Sequence, residues 1–459
     1  MIPNWNDPEL VELMSAGLFT SEIRRLIFRS CFPMYDVFSL NDFQFPENFL
    51  WGSATAGHQI EGGNTHSGHY HREMQGPESA RSGLACNGYE LYRQDVELIA
   101  ELGHQAYRFS VEWSRIEPEE GVWNQKAIDH YLDEMVRLKE KGIKVCLTLQ
   151  HYTLPFWFEQ LGGFRKDENL RYFERFAAKI APVYAPYVDV WFILNEWFSA
   201  LQDPLFSFQN IKAHARIYHL LKSCSKAPVS SAHMALEMYP NRYFDEFDQL
   251  TAALKNWAVN GVIRHAVRTG ELVAPGIDAQ ECPEIRGAMD FWALNLYTRE
   301  LADARHPKNP APRFPHKKLR MIDMDFYLEE MYPEGTTAMI EYFKDERPVI
   351  ISENGCSCND DRFRIVYISL YLSAVHDAIL RGCDVRGYFY WSLLDNFEWS
   401  SFLPRFGLVD VDFKTFKRTA KPSAFFFRDI IRNNGFSQQI LRKYLKELPT
   451  LSKQQTVLL

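Results

Sequence analysis

Little in this sequence points toward a membrane, an export route or a nucleic acid. No stretch reads as a sustained apolar run long enough to span a bilayer. The beginning, MIPNWNDPELVELM, places acidic residues early and lacks a basic region followed by an apolar core, so a secretory signal is not expected. Cysteine is sparse: eight residues scattered over 459 are too few and too dispersed for a disulfide framework. Without an export signal these thiols are expected to stay reduced, which implies a cytoplasmic location. Positive charge is also short, with 51 Lys and Arg against 59 Asp and Glu and a formal charge of -8. A phosphate backbone selects clustered Lys and Arg, so the balance argues against nucleic acid and favours a neutral small-molecule partner. Subunit number is left open.

What is present fits a large soluble core, since 46% of residues are hydrophobic and 24% charged. Aromatic residues reach 15%, and their flat faces suit either a core or a sugar-stacking pocket. Short β-rich runs alternate with longer amphipathic runs, the pattern of repeated βα units around a parallel sheet. Eight such strands are expected, at 49–56, 106–113, 144–152, 190–196, 229–238, 290–298, 348–355 and 385–395. Eight is the number that closes a (β/α)8 TIM barrel, so a single α/β barrel domain over 41–435 is predicted. The intervening helices show apolar residues at helical spacing, and three of them stop at Gly103, Gly142 and Gly382. Residues 1–40 form an N-terminal extension of unknown role, and 436–459 read as a final helix with a polar tail. Both are expected to pack on the barrel exterior.

Several strands begin apolar and end polar, which marks the rim where a barrel places its active site. Glu112, His151, Asn195, Glu196, Asn295, Glu353 and Asp395 are therefore expected to converge on one mouth. Two of these stand out. WFILNE ends at Glu196, VIISENG presents Glu353, and the interval between them holds three βα units of roughly fifty residues each. Carboxylates facing each other across a cavity are the tools of glycoside hydrolysis: one attacks the anomeric carbon and the other protonates the leaving oxygen. The bland alternative is a rim glutamate that merely pairs with an arginine.

The surrounding motifs resemble glycoside hydrolase family 1. The resemblance runs from FPENFLWGSATAGHQIEG at 45–62, through YRFSVEWSRIEP at 107–118, LTLQHYTLP at 147–155, LNE at 194–196 and SENG at 352–355, to GYFYWSLLDNFEW, RFGLV and KPSAFFF at 387–427. It implies a retaining exo-acting β-glycosidase, β-glucosidase-like, needing no cofactor and no metal. Glu353 would be the nucleophile and Glu196 the acid/base, with Arg108, Asn295 and Tyr297 supporting them. Gln59, His151, Asn195, Glu398 and Trp399 would grip the sugar hydroxyls, and Trp391 would lie under the ring. A fixed cation such as Arg108 is expected to keep Glu353 ionised. Whether glucose, galactose or fucose is preferred stays open.

The chain departs from the common family pattern at four places: His58 stands for Tyr, Tyr152 for Trp or Phe, Thr153 for Asp and Trp197 for Pro. The SSFLP loop after Trp399 is about one residue short. His66, His69 and His71 cluster near the first strand's end, and Cys356 and Cys358 form a CxC; both invite a metal reading that is weaker than a structural one. The competing functions are a 6-phospho-β-glycosidase and a catalytically silent sugar-binding barrel.

Overall fold

Eight runs of buried residues form parallel strands: β1 (Leu50–Ala54), β2 (Ala106–Ser110), β3 (Lys144–Gln150), β4 (Val188–Asn195), β5 (Val229–Met234), β6 (Trp292–Asn295), β7 (Val349–Asn354) and β8 (Val385–Trp391). In this computed structural model, which describes residues 36–196, 203–305 and 331–449, they pair in sequence order around a closed barrel. Closure comes from β8 against β1, where Gly387 faces Leu50 and Trp391 faces Ala54. Residues 1–35, Trp197 and the tail from 450 lie outside the described residues.

All eight strands stand where the alternation places them, most of them shorter at the C-terminal end. The reason is local backbone. Tyr152 and Glu196 both adopt positive φ, 63° and 46°, which turns the chain out of the ladder just past β3 and β4. His151 and Glu196 therefore sit just past their strands, whereas Asn195, Asn295 and Glu353 are the last or next-to-last residues of theirs.

Alternation within each strand divides the interior into two layers. On β4, Val190 and Phe192 point into the barrel lumen with Ala106, Ala232 and Phe389, whereas Trp191 and Ile193 join the larger core beneath the helices. That outer layer is sealed by α1 (Gly88–Glu101), α2 (Gln125–Glu140), α3 (Leu170–Tyr184), α4 (Pro204–Cys224), α5 (Val262–Thr269), α6 (Pro333–Tyr342), α7 (Asp361–Leu380) and α8 (Pro422–Asn433). Burying a large apolar side chain is worth about 1.5–3 kcal/mol, so these two layers hold most of the barrel's stability. Helices start at caps such as Asp203, which accepts from Phe206 N. The stops at Gly103, Gly142 and Gly382 have φ of 71°, 74° and 80°, conformations that glycine adopts without a Cβ penalty.

The sequence reading did not count α7 as a possible membrane span, yet it is long and apolar enough by composition, and 72% of its apolar window is buried inside the protein. It passes the test because it is a core helix. The short strand Phe43–Gln44 pairs with Gly435–Phe436, bringing the beginning and end of the barrel together, and the helix Gln438–Tyr444 follows. The seven described cysteines are free, Cys356 and Cys358 among them.

One glycine fixes the geometry beside the site. A Cβ on Gly355, immediately after β7, would lie 1.7 Å from the carbonyl oxygen of Trp391. The SENG turn can thus press against the end of β8 only with glycine there.

Candidate active site

At the C-terminal mouth of the barrel is a cavity of about 390 Å³, lined among others by Gln59, His151, Asn195, Glu196, Tyr297, Glu353, Trp391, Glu398 and Trp399. All nine are residues that the sequence singles out. Arg108 and Asn295 lie just beneath the lining, 1% and 0% exposed.

Arg108, on β2, organises the floor. Its Nη1 donates to Glu353 Oε1 at 2.6 Å and to the Ser352 carbonyl at 3.2 Å, while Nη2 donates to Asn195 Oδ1. Below it the Phe192 ring supports the guanidinium at 4.7 Å. The other Glu353 oxygen accepts from the Tyr297 hydroxyl at 2.8 Å. Glu196, across the cavity, has a different environment: Oε1 accepts from Asn295 Nδ2 at 2.9 Å and Oε2 from the Tyr152 hydroxyl. Ser352 Oγ donates to Asn295 Oδ1 at 2.7 Å, which orients that amide toward Glu196.

The same logic assigns a tautomer. Arginine only donates, so the Asn195 atom facing Arg108 is oxygen, and its Nδ2 must be the donor to His151 Nε2 at 3.1 Å. The proton of His151 then sits on Nδ1, which has no partner among the described residues. Burial, followed by Arg108, pushes this ring well below its ordinary value, so it is a neutral donor. Gln59 is fixed similarly: Nε2 donates to Asn396 Oδ1 and Glu398 Oε2, each at 3.0 Å, leaving Oε1 without a partner. Among the described residues His151 Nδ1 and Gln59 Oε1 thus face the cavity without a protein partner, and Arg108 Nε lacks one in the floor beneath, at a cost of about 1–3 kcal/mol each.

Burial overturns one expectation. Arg108 and Tyr297 both favour ionised Glu353, but desolvation is the largest effect, Glu196 adds to it, and the carboxyl rises to about 7. A neutral Glu353 avoids placing a second negative charge beside Glu196 in a cavity of low dielectric.

Two rim residues do not reach the cavity. Glu112 accepts from Asn64 Nδ2 at 2.7 Å, from the His58 backbone at 2.9 Å and from Thr153 Oγ1 at 2.7 Å. Asp395 turns to Lys421 at 2.7 Å and to the Gly407 backbone at 2.7 Å. Both are buried and brace loops. The departures at Thr153 and His58 belong to this layer: Thr153 offers Glu112 a hydroxyl where an aspartate would bring a second negative charge. His58 pairs with Glu73 at 2.8 Å and lies parallel to Trp399 at 6.1 Å. The short loop is anchored by Phe402 against Phe397 and Phe413 at 5.0 and 4.5 Å.

Sequence reasoning did not name Tyr152, Met234 and Phe406 as lining residues, and it placed His69 near the mouth only as one of a histidine cluster. The three histidines after β1 do not converge: His71 stacks on Phe156 at 3.7 Å, while His69 reaches the cavity and lies 5.4 Å from Trp399. Burial pushes His69 down to about 3, so it too is neutral. Among the described residues no group of three His, Cys, Asp or Glu is placed to hold a metal ion.

A closed (β/α)8 barrel whose mouth opposes two glutamates across a polar, aromatic-walled cavity defines a glycoside hydrolase. Residues 41–436 match Glycosyl hydrolase family 1, and the chain belongs to that family. It is 30% identical to Beta-glucosidase A of Thermotoga maritima, over 86% of this chain and 99% of that one. Against Beta-galactosidase of Pyrococcus woesei it is 28% identical, over 88% and 100%. Among solved structures, the beta-glycosidase from Pyrococcus horikoshii superposes with a TM-score of 0.79 at 33% identity, covering 90% of this chain and all 100% of that one.

The raised Glu353 carboxyl has a consequence for stability. In the unfolded chain it ionises near 4.5, and in the folded protein near 7. Stability tied to the protonated form is complete below 4.5 and is lost as pH rises through 7, by an amount on the order of 3 kcal/mol. Glu353→Gln is neutral at every pH. Its melting temperature relative to wild type should therefore rise across that interval and level off above it. Thermal unfolding at about pH 4 and about pH 8 checks this, and an equal difference at both values contradicts it.

Proposed function

We propose that the protein hydrolyses terminal β-linked glucosides by double displacement, with Glu353 as nucleophile and Glu196 as general acid/base. The observation that carries this reading is the asymmetry of the two carboxylates. Glu353 is gripped by a guanidinium and a phenol, both favouring the anion, whereas Glu196 meets only neutral donors. Glu353 is thus the carboxylate placed to attack, and Glu196 the one placed to pass a proton to the leaving oxygen.

Glu353 attacks the anomeric carbon while Glu196 gives its proton to the departing oxygen, so the C–O bond breaks as the glycosyl-enzyme ester forms. Esterification removes the negative charge of Glu353, and Glu196, now ionised, accepts a proton from the incoming water. Water then displaces Glu353 and the β configuration is kept. Asn195 has a second amide hydrogen beyond the one given to His151, and it suits the sugar 2-hydroxyl, a contact that strengthens in the oxocarbenium-like transition state. His151 Nδ1–H and Gln59 Oε1 would complete their hydrogen bonding on the other hydroxyls, with Trp391 beneath the ring and Glu398 and Trp399 at its far edge. Relatives that are beta-glucosidases support a glucoside as principal substrate, and a relative that is a beta-galactosidase supports β-galactosides as secondary ones. The free thiols of the seven described cysteines are in keeping with a cytoplasmic location.

Glu196→Ala should cost roughly 10²- to 10⁴-fold on alkyl glucosides and far less on dinitrophenyl glucoside, because only the former need proton donation. Added azide should then yield the β-glucosyl azide. Equal losses on both substrates, with no azide product, would remove Glu196 from the role.

A neutral glycone is favoured over its 6-phosphate. Among the described residues none that lines the cavity is Lys or Arg, and Arg405 turns away toward Asp395 and Asp410 at 3.5 and 3.6 Å. A phosphate near Glu398 would add like charge, about 4 kcal/mol per unit pair at 4 Å and an effective dielectric of 20. The ratio kcat/KM should therefore be higher for 4-nitrophenyl β-glucoside than for its 6-phosphate. The reverse ranking would establish the phosphoglycosidase instead.

A further inference from the structure

Resting on the assignment of Glu196 as acid/base, we propose that Tyr152 is a positioning residue for that carboxylate. Its hydroxyl holds Oε2 as the anion through the interval between the two half-reactions.

Each oxygen of Glu196 has its own donor. Asn295 Nδ2 serves Oε1 at 2.9 Å, and the Tyr152 hydroxyl serves Oε2. Tyr152 is constrained from several sides. Its backbone sits at φ 63°, a left-handed conformation that a non-glycine residue keeps only where its surroundings fix it. The neighbouring Thr153 is tied to Glu112 through both carboxylate oxygens, at 3.0 and 2.7 Å. The phenol ring stands edge-on to Trp399 at 5.0 Å and 85°, and Trp399 in turn lies parallel to His58. A phenylalanine could reproduce the ring contact but has no hydrogen for Glu196. Although Tyr152 is 38% exposed, desolvation of its hydroxyl, followed by Glu196, Glu353 and Glu398, raises the phenol above its ordinary value, which keeps it a donor.

The proton balance involves Glu196 alone. Its proton goes to the aglycone oxygen in the first half-reaction and is replaced from water in the second. Tyr152 gives up no proton; its hydrogen bond strengthens when Glu196 is ionised and weakens when Glu196 is protonated. A hydrogen bond to the charged form favours that form, so losing the phenol should make Glu196 hold its proton to higher pH.

The test is the pH profile of kcat/KM on an alkyl β-glucoside, which needs the acid. Tyr152→Phe should move the alkaline limb upward by on the order of one pH unit, a tenfold change in proton affinity. Incorporating a ring-fluorinated tyrosine at 152, a stronger donor, should move the limb downward, and this holds even if Tyr152→Phe folds poorly. Glu196→Ala, and Glu196→Ala combined with Tyr152→Phe, should show no alkaline limb on dinitrophenyl glucoside. If Glu196→Ala removes the limb while both changes at 152 leave it in place, or shift it the other way, the inference about Tyr152 is wrong and the assignment of Glu196 stands. If the limb survives Glu196→Ala, the assignment itself fails.

Discussion

The site depends on a single buried ion pair. Arg108 and Glu353, 1% and 4% exposed at their side chains, meet at 2.6 Å in the floor of the barrel. Neither charge could be left there alone, since removing one partner of a buried pair costs about 3–5 kcal/mol. Every feature around them answers that constraint. Phe192 supports the guanidinium, Ser352 and Asn195 take up further donors, and Tyr297 completes the carboxylate. These residues come from β2, β4 and β7 and from the turn just after β6, so the pair joins strands from both halves of the barrel.

From the floor, order propagates upward by hydrogen bonds whose direction is set at the arginine. Arg108 dictates which way the Asn195 amide faces, Asn195 fixes the His151 tautomer, and His151 presents its remaining N–H unpaired. A parallel chain runs from Ser352 through Asn295 to Glu196. The first chain ends on His151 Nδ1–H, which has no partner among the described residues, so folding leaves a bond open at the cavity wall. The site is thus organised before substrate arrives, and the protein carries the strain of its own unpaired groups until then.

Much of this was legible in the sequence because periodicity and residue type are local signals. The apolar-to-polar switch in WFILNE and VIISENG located both glutamates, and glycines at 103, 142 and 382 ended three helices where expected. What could not be read depends on three dimensions. Glu112 and Asp395 occupy strand ends as Glu196 and Glu353 do, yet partners distant in sequence, Asn64 and Lys421, turn them away. His69 carries no motif and reaches the cavity through the path of a loop. The upward displacement of the Glu353 carboxyl was missed because a sequence names the cation beside it but not the depth of burial that outweighs it. The changes at Tyr152 and Thr153 likewise become intelligible only with their partners in place: a phenol facing Glu196 and a hydroxyl facing Glu112.

The account stands on Glu353 forming a covalent bond to the sugar. Incubation with 2-deoxy-2-fluoro-β-glucosyl fluoride should inactivate the enzyme, because the fluorine at C2 destabilises both transition states while the good leaving group preserves the first step. Mass spectrometry of the digested protein should then find one fluoroglucosyl group, on the peptide containing VIISENG, at Glu353. A label on another carboxylate, or turnover of glucosides with inversion and no trapped intermediate, would contradict the account at its centre.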